Sequence, residues 1–239
     1  MQSETLIYDA DGLSMKSRLF VPAGSGPRPG VLVFPEAFGL GAHAISRAER
    51  LAELGYVALA CDLHGEGRVV DDLPEAIGLL QPMMADPSHT RARAHGGLQA
   101  LLNRSEVDAG RIAAIGFCFG GTMALELARS GADVKAVVGF HSGLGTTAPK
   151  TDAGAIKGRV LVCIGADDPM IPSEQRATFE DEMRAGGVDW QMHLYGGTVH
   201  SFTNTEAGTR GIPDAIRYDA SADARSWASM RALFDEAFA

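Results

Sequence analysis

The stretch most suggestive of chemistry runs from Gly116 to Gly121 and reads GFCFGG, with a cysteine between closely spaced glycines. The apolar run 111–115 before it predicts a buried strand, and the run 122–129 after it carries apolar residues on one helical face. A strand that turns directly into a helix, with glycines two residues either side of a central residue, is typical of a nucleophile elbow. The glycines are needed because such a tight turn leaves no room for a Cβ atom. The pattern therefore predicts Cys118 as a thiol nucleophile.

Two further predicted strand ends carry the partners that such a thiol needs. The strand-like run 160–164 leads into an acidic loop with Asp167 and Asp168, and a strand ending at Leu194 leads into a loop with His200. Active groups of an open parallel sheet collect at the carboxyl ends of its strands, so these loops are expected to meet the elbow. The chain order nucleophile, acid, histidine is that of the α/β-hydrolases. Either aspartate fits this order.

The remaining chain alternates strand and helix patterns, and each candidate residue falls at a strand end. An edge hairpin is predicted from 5–8 and 15–22, further strands at 31–34, 56–61, 135–140 and 189–194, and helices at 44–54, 89–103, 173–185 with Ser173 as N-cap, and 217–238. The prolines and apolar residues of 69–88 predict short helices that cap a pocket. Repeated strand–helix units predict an α/β fold, a mostly parallel central sheet with helices on both faces. We expect one domain over 1–239, with a cap-like insertion at about 68–90.

Composition excludes several classes of function. The 239 residues carry a formal net charge of −9, which argues against nucleic acid or an anionic membrane surface as a partner. No apolar run approaches the ~20 residues needed to span a bilayer, and the polar start contains no secretory signal, so we expect a cytoplasmic protein. The cysteines Cys61, Cys118 and Cys163 are widely spaced, and no metal or nucleotide motif is present, so no metal and no cofactor are expected.

Other residues that could do chemistry have simpler interpretations. Cys61 and Cys163 lie inside predicted strands and are interpreted as small buried hydrophobes. His64 and His141 belong to no motif and are interpreted as structural. Ser142 follows His141 and precedes a glycine, but it lacks the glycine two residues before it that an elbow requires, so it is rejected as a nucleophile.

Four motifs, taken in order, resemble the dienelactone hydrolase family of α/β-hydrolases over nearly the whole chain. They are PEAFG at 35–39, the elbow at 116–121, the loop at 165–172 and HSF at 200–202. The family pattern places the acid four residues before a proline, which selects Asp168. The resemblance implies a Cys118–His200–Asp168 triad. It also implies that Glu36 is a second acid near the thiol, which in the family is thought to contact the resting thiol and swing away when substrate binds.

Each implied role is chemically sensible. A free thiol is mostly protonated at neutral pH, so it needs a base, and His200 can take the proton and return it to the leaving alkoxide. Asp168 would hold the imidazole tautomer and stabilise the imidazolium. The backbone N–H groups of Ala37 and Phe119 would form the oxyanion hole. The sequence therefore predicts a cysteine-dependent hydrolase of small carboxylic esters or lactones that forms an acyl-enzyme.

The sequence departs from the family at the substrate carboxylate. Dienelactone-specific members are expected to grip it with two arginines, one in the cap and one four residues after the histidine. Here Asn204 stands at the second position, and 69–90 contains no arginine or lysine. An amide cannot replace a bidentate guanidinium at equal strength, so neutral or mainly apolar substrates are expected. The expected pocket residues are Phe38, Leu80, Met83, Met84, Phe202 and Asn204.

Two alternatives remain open at the level of sequence. One is a catalytically silent scaffold that binds a small ligand in the same pocket, and the other is a thioesterase. The only expected partner is a small-molecule ester or lactone, with neither nucleic acid nor membrane. A monomer or a weak homodimer is expected.

Overall fold

Residues 1–148 and 150–239 are described by a computed structural model, and a sheet of eight strands forms its centre. The strands are β1 (Gln2–Ala10), β2 (Leu13–Val21), β3 (Arg28–Phe34), β4 (Val57–Ala60), β5 (Val107–Phe117), β6 (Ala136–Phe140), β7 (Arg159–Gly165) and β8 (Trp190–Tyr195). They lie in the order β1-β2-β4-β3-β5-β6-β7-β8. Strands β3 to β8 pair in parallel, while β1 and β2 add an antiparallel hairpin at one edge. The carboxyl ends of β3, β5, β7 and β8 therefore lie along one edge of the sheet.

Helices cover both faces of this sheet. They are α1 (Ala42–Glu53), α2 (Leu73–Ala85), α3 (Pro87–Leu102), α4 (Phe119–Arg129), α5 (Ser173–Gly186) and α6 (Ala220–Ala237). Strand side chains alternate between the two faces, as β geometry requires, so each face receives its own apolar cluster. In β3, Leu32 and Phe34 join the cluster beneath α3 and α4, whereas Val31 and Val33 join the one beneath α1 and α6. The predicted α/β architecture, with helices on both faces, is confirmed.

One predicted N-cap and one predicted helix start are wrong. Pro172, not Ser173, occupies the N-cap of α5, and no side chain caps this helix. The last helix begins at Ala220 and not at Arg217, because Asp219 is its N-cap and accepts a hydrogen bond from the backbone of Ala222. The backbone N–H of Arg217 donates to the carbonyl of His200 and so remains outside the helix.

The segment between β4 and β5 contains the predicted cap. Where short helices were expected, α2 is one helix of 13 residues, capped by Asp72 and continuous through Pro82. Pro87 opens α3, in the first-turn position where proline is tolerated. Among the described residues, no helix combines the length and the apolar character that crossing a bilayer would require.

Candidate active site

The candidate nucleophile lies in a strained turn between β5 and α4. Cys118 has φ 54° and ψ −120°, a conformation that residues other than glycine rarely adopt. A Cβ on Gly116 would lie 2.0 Å from the carbonyl oxygen of Gly120, and one on Gly120 would lie 2.3 Å from that of Phe34. The glycines are thus required by close backbone packing. The turn places the Cys118 sulfur at the N-terminus of α4, where the helix dipole favours negative charge.

His200 and Asp168 meet at the same edge of the sheet. The imidazole Nδ1 lies 2.8 Å from the Asp168 Oδ2, and both side chains are buried. The other carboxylate oxygen of Asp168 accepts the backbone N–H of Met170 at 2.8 Å. Asp167 is exposed and accepts the backbone N–H of Gly197. The aspartate that contacts the histidine is therefore Asp168.

The electrostatics of His200 favour a charged imidazolium. Burial alone would lower the pKa of this imidazole, but a thiolate at Cys118 and the carboxylate of Asp168 outweigh burial and raise the pKa from 6.5 to about 10. The Nε2 atom forms no regular hydrogen bond among the described residues. Catalytic hydrogen bonds are often long before substrate binds and tighten afterwards, so this open contact is compatible with proton transfer between Nε2 and sulfur.

Ala37 and Phe119 lie where oxyanion donors are expected. Ala37 follows β3 and Phe119 is the first residue of α4, and both line the cleft that contains Cys118 and His200. Within the described residues, neither backbone N–H donates a hydrogen bond to the protein. Two unpaired backbone N–H groups in one cleft can donate hydrogen bonds to the oxyanion of a tetrahedral intermediate and so stabilise its charge.

Glu36 lies beside the site, but both of its carboxylate oxygens accept hydrogen bonds from the loop that contains His200. Its Oε1 accepts the hydroxyl of Ser201 at 2.7 Å, and its Oε2 accepts the side-chain amide of Asn204 at 2.6 Å. The carboxylate is buried, so these two hydrogen bonds compensate for its loss of water. No hydrogen bond joins Glu36 to Cys118 among the described residues.

Asn204→Ala should lower the free energy of unfolding by about 1.5–3 kcal/mol, because it leaves one oxygen of a buried carboxylate without a donor. Thr205→Ala, at the exposed neighbouring position, is the matched control and should change stability by less than about 0.5 kcal/mol. Urea denaturation of both variants measures the difference. Equal midpoints for the two variants would contradict the assignment of Asn204 as the partner of Glu36.

A mainly apolar cleft of about 610 Å³ opens above the nucleophile. Leu80, Met83 and Met84 of α2 line it, as the sequence predicts. Phe38, Phe202 and Asn204 are not among its lining residues. Phe202 is fully buried in the core on the opposite face of the sheet, and Phe38 lies beneath the guanidinium of Arg210.

Several residues around the site were not predicted from the sequence. Leu73 and Ile77 of α2 line the cleft from the cap, and Met170 and Ile171 line it from the loop after β7. Their apolar character was visible in the sequence, but no motif indicates which of them face the cleft. Ser201 follows the histidine directly, yet nothing in its position predicts a contact with Glu36, 165 residues away.

The fold and the elbow first define the class of protein. A mostly parallel sheet with helices on both faces and a strand–turn–helix elbow at its carboxyl edge is the α/β-hydrolase fold. Within that class, the model of the family described as "Dienelactone hydrolase family" matches residues 15–238. The chain belongs to the dienelactone hydrolase family, as the four motifs indicate, and is a hydrolase that acts on ester or lactone bonds.

Individual relatives agree with this assignment. The solved structure named m3DLH is 48% identical, with a TM-score of 0.95, and the match covers 100% of this chain and 99% of that one. A dienelactone hydrolase-like promiscuous phosphotriesterase from metagenomic libraries is 46% identical, with a TM-score of 0.93 and 98% of each chain covered. A Bradyrhizobium protein named "Probable 2-oxo-3-(5-oxofuran-2-ylidene)propanoate lactonase" is 28% identical over 84% of this chain and 86% of its own length.

Proposed function

We propose that this protein hydrolyses small neutral carboxylic esters or lactones through a thioester formed on Cys118. The observation that carries the proposal is the hydrogen bond between His200 and Asp168, which orients a base beside the elbow cysteine. The partners come from three separate loops of one sheet edge. A nucleophile, a base and a group that orients the base are the arrangement that acyl transfer requires.

The reaction follows from the positions of these groups. The Cys118 thiolate attacks the carbonyl carbon, and the oxygen of the tetrahedral intermediate accepts the N–H groups of Ala37 and Phe119. The intermediate collapses to a thioester as His200 protonates the departing alkoxide, which in a lactone stays attached to the acyl chain. Water, deprotonated by His200, then attacks the thioester. The second intermediate collapses by breaking its C–S bond, which restores the Cys118 thiolate beside the His200 imidazolium, and the carboxylic acid leaves and gives its proton to solvent.

The walls of the cleft favour uncharged substrates. No lysine or arginine is among its lining residues in the described part of the chain, and most of the lining surface is apolar. Glu126 lines the cleft, but hydrogen bonds to Arg91 and Arg129 engage both of its carboxylate oxygens. A substrate carboxylate would lose its water here without gaining a lysine or arginine partner, and the His200 imidazolium already pairs with Asp168, so its binding would cost several kcal/mol.

A pair of matched substrates tests this preference. We expect a short neutral aryl ester to give a kcat/KM at least about tenfold higher than the same ester with a terminal carboxylate on its acyl chain. An anionic dienelactone should likewise be poorer than a neutral lactone of similar size. Equal or better turnover of the anionic member of each pair would contradict the proposed substrate class.

Neutral aryl phosphotriesters are a second candidate substrate class. The observation that favours them is the relative named as a promiscuous phosphotriesterase, which is 46% identical over 98% of this chain. The same thiolate could attack phosphorus and expel an aryloxide, with the phosphoryl oxygen in the oxyanion hole. Release of a chromogenic phenol from a neutral phosphotriester, and its loss in Cys118→Ala, would support this activity.

A further inference from the structure

A second histidine, His141, lies directly beneath the elbow. It follows β6 and is completely buried. Its Nδ1 accepts the backbone N–H of Cys118 at 3.2 Å, and its Nε2 lies 2.8 Å from the hydroxyl oxygen of Thr203. A backbone N–H can only donate, so Nδ1 is unprotonated and Nε2 carries the proton. His141 is therefore a neutral imidazole that accepts from the nucleophile's backbone and donates to Thr203.

The same ring also packs against the base. The centroids of the His141 and His200 rings lie 5.1 Å apart, with the rings inclined by 67°. Phe202 packs edge-on against His141 from another side, also at 5.1 Å. His141 thus contacts both proposed reacting residues, through the backbone of Cys118 and the imidazole of His200.

The backbone is strained at Cys118 and at His141, and hydrogen bonds around the elbow are needed to hold it in this conformation. Cys118 and His141 have φ values of 54° and 40°, and strained residues of this kind cost about 1–3 kcal/mol each. The Cys118 N–H shares its hydrogen bond with the carbonyl of Phe140 at 3.0 Å, which fixes the turn from β6. Two acceptors for one N–H leave the elbow little freedom to relax.

Thr203 is anchored in turn to the opposite face of the sheet. Its carbonyl accepts a hydrogen bond from Arg47, and Arg47 forms an ion pair with Asp223 of α6 at 2.9 Å. The Nε2 of His43 lies 3.2 Å from the Thr203 hydroxyl. The hydrogen bond from His141 therefore ends on a residue that is itself bonded to α1, and through Arg47 to α6.

We propose that His141 is a positioning residue, whose ring fixes the elbow of Cys118 relative to the imidazole of His200 with Thr203 as its anchor. This inference rests on the proposed function, in which the Cys118 sulfur attacks the substrate and the Nε2 of His200 protonates the departing alkoxide. Misplacing reacting groups by about 1 Å can cost about 10²-fold in rate, so a ring in contact with both partners has a large effect on turnover.

His141 does not itself act as a second base. Both of its nitrogens are engaged, one by Cys118 and the other by Thr203. Burial, together with the nearby His200, His43 and Arg47, lowers the pKa of His141 well below its usual value. The ring is therefore neutral at neutral pH, and its Nδ1 remains an acceptor.

Thr203→Val tests the anchor with little change in volume. We expect kcat for a neutral aryl ester to fall by about tenfold or more while KM stays within about twofold, because the substrate cleft is untouched. Thr203→Ser keeps the hydroxyl and should recover most of the lost rate. Thr205→Val, at the exposed position two residues on, is the matched control and should retain wild-type kcat.

Variants of His141 test the ring itself. In His141→Asn the amide oxygen can replace Nδ1 as acceptor, and asparagine tolerates a positive φ. In His141→Leu both hydrogen bonds are lost, so kcat should fall further than in His141→Asn. Circular dichroism checks that each variant is folded. Should His141→Leu fail to fold, the two Thr203 variants and His141→Asn still test whether His141 positions the elbow.

Thiol alkylation separates this inference from the proposed function, because it needs no substrate. We expect iodoacetamide to label Cys118 at least about fivefold more slowly at pH 7 in Thr203→Val than in the wild type, with recovery in Thr203→Ser. That result supports positioning even if no ester is turned over. The proposal would be overturned if both Thr203→Val and His141→Asn kept labelling rates and kcat within twofold of the wild type. It would also be overturned if Thr203→Ser lost as much labelling rate and kcat as Thr203→Val.

Discussion

Cys118→Ala should abolish ester turnover, with a loss in kcat of about 10⁴-fold or more. The alanine variant keeps the cleft, the oxyanion donors and the His200–Asp168 pair, but it has no atom that can form the acyl-enzyme. Only the small rate enhancement from binding and the oxyanion hole would remain. Steady-state hydrolysis of a neutral aryl ester, measured on folded protein, gives the result directly.

Two matched variants make this test specific to the elbow. Cys163→Ala also removes a thiol, but from a fully buried position in β7, so it should lower stability while leaving kcat within about twofold. Cys118→Ser keeps a nucleophile of higher pKa and should show intermediate activity. Turnover by Cys118→Ala within tenfold of the wild type would contradict the proposed mechanism and favour a different nucleophile.

Covalent trapping distinguishes the enzyme from a silent scaffold. Intact-protein mass spectrometry after mixing with a slowly deacylating ester should show one added acyl group, located on Cys118 by peptide mapping. Iodoacetamide at pH 7 should label Cys118 well before Cys61 and Cys163, because burial raises the pKa of both of those thiols. Equal labelling of the three cysteines, without any acyl adduct, would support a ligand-binding scaffold.

The elbow could be predicted from the sequence because short-range geometry determines its conformation. The turn at Cys118 requires glycines that all lie within the six residues 116–121, so their spacing is visible without knowledge of the fold. His200 and Asp168 follow from chain order and from the ends of predicted strands. The choice of Asp168 over Asp167 came from the family resemblance, and the contact between Asp168 and His200 agrees with it.

Side-chain directions in loops could not be predicted in the same way. Strands and helices repeat with fixed periods, but Ser201 has φ 54°, and the loop that it begins follows no period. This conformation turns Phe202 into the core and Asn204 toward Glu36, although both were expected to line the pocket. The contacts of His141 could not be predicted for a related reason, since its partners are Cys118 at the elbow and Thr203 in a loop 62 residues away.

Arg129→Ala should cause the largest loss of stability, about 3–5 kcal/mol. Arg129 is fully buried in α4, and its guanidinium forms a bidentate pair with Glu182 of α5 at 2.7 and 2.8 Å. It also donates to Glu126 at 3.1 Å and to the carbonyl of Leu144 at 2.8 Å. The alanine variant leaves buried carboxylates without their main cationic partner, and that uncompensated charge is the source of the cost.

A double variant separates the cost of unpaired charge from the value of the pair. Replacing Arg129 and Glu182 together by methionine leaves only Glu126, which keeps its hydrogen bond to Arg91. Because a well-packed apolar pair can substitute for a buried ion pair at little cost, the double variant should be more stable than Arg129→Met alone. Arg129→Lys should fall between wild type and Arg129→Ala, because an ammonium cannot form the bidentate contact.

The exposed pair between Arg184 and Glu180, also on α5, is the control for burial. Arg184→Ala should change the free energy of unfolding by less than about 1 kcal/mol, because exposed ion pairs contribute little. Guanidinium chloride titrations measure these changes, and a shifted midpoint with an unchanged m-value would show that the variant altered the free energy of unfolding. A double variant as unstable as Arg129→Met would show that lost packing causes the cost. Recovered stability in the double variant would show instead that Arg129 is needed to neutralise Glu182. In the wild type the same guanidinium then joins α4 to α5 and to the Leu144 carbonyl, beside the wall of the substrate cleft.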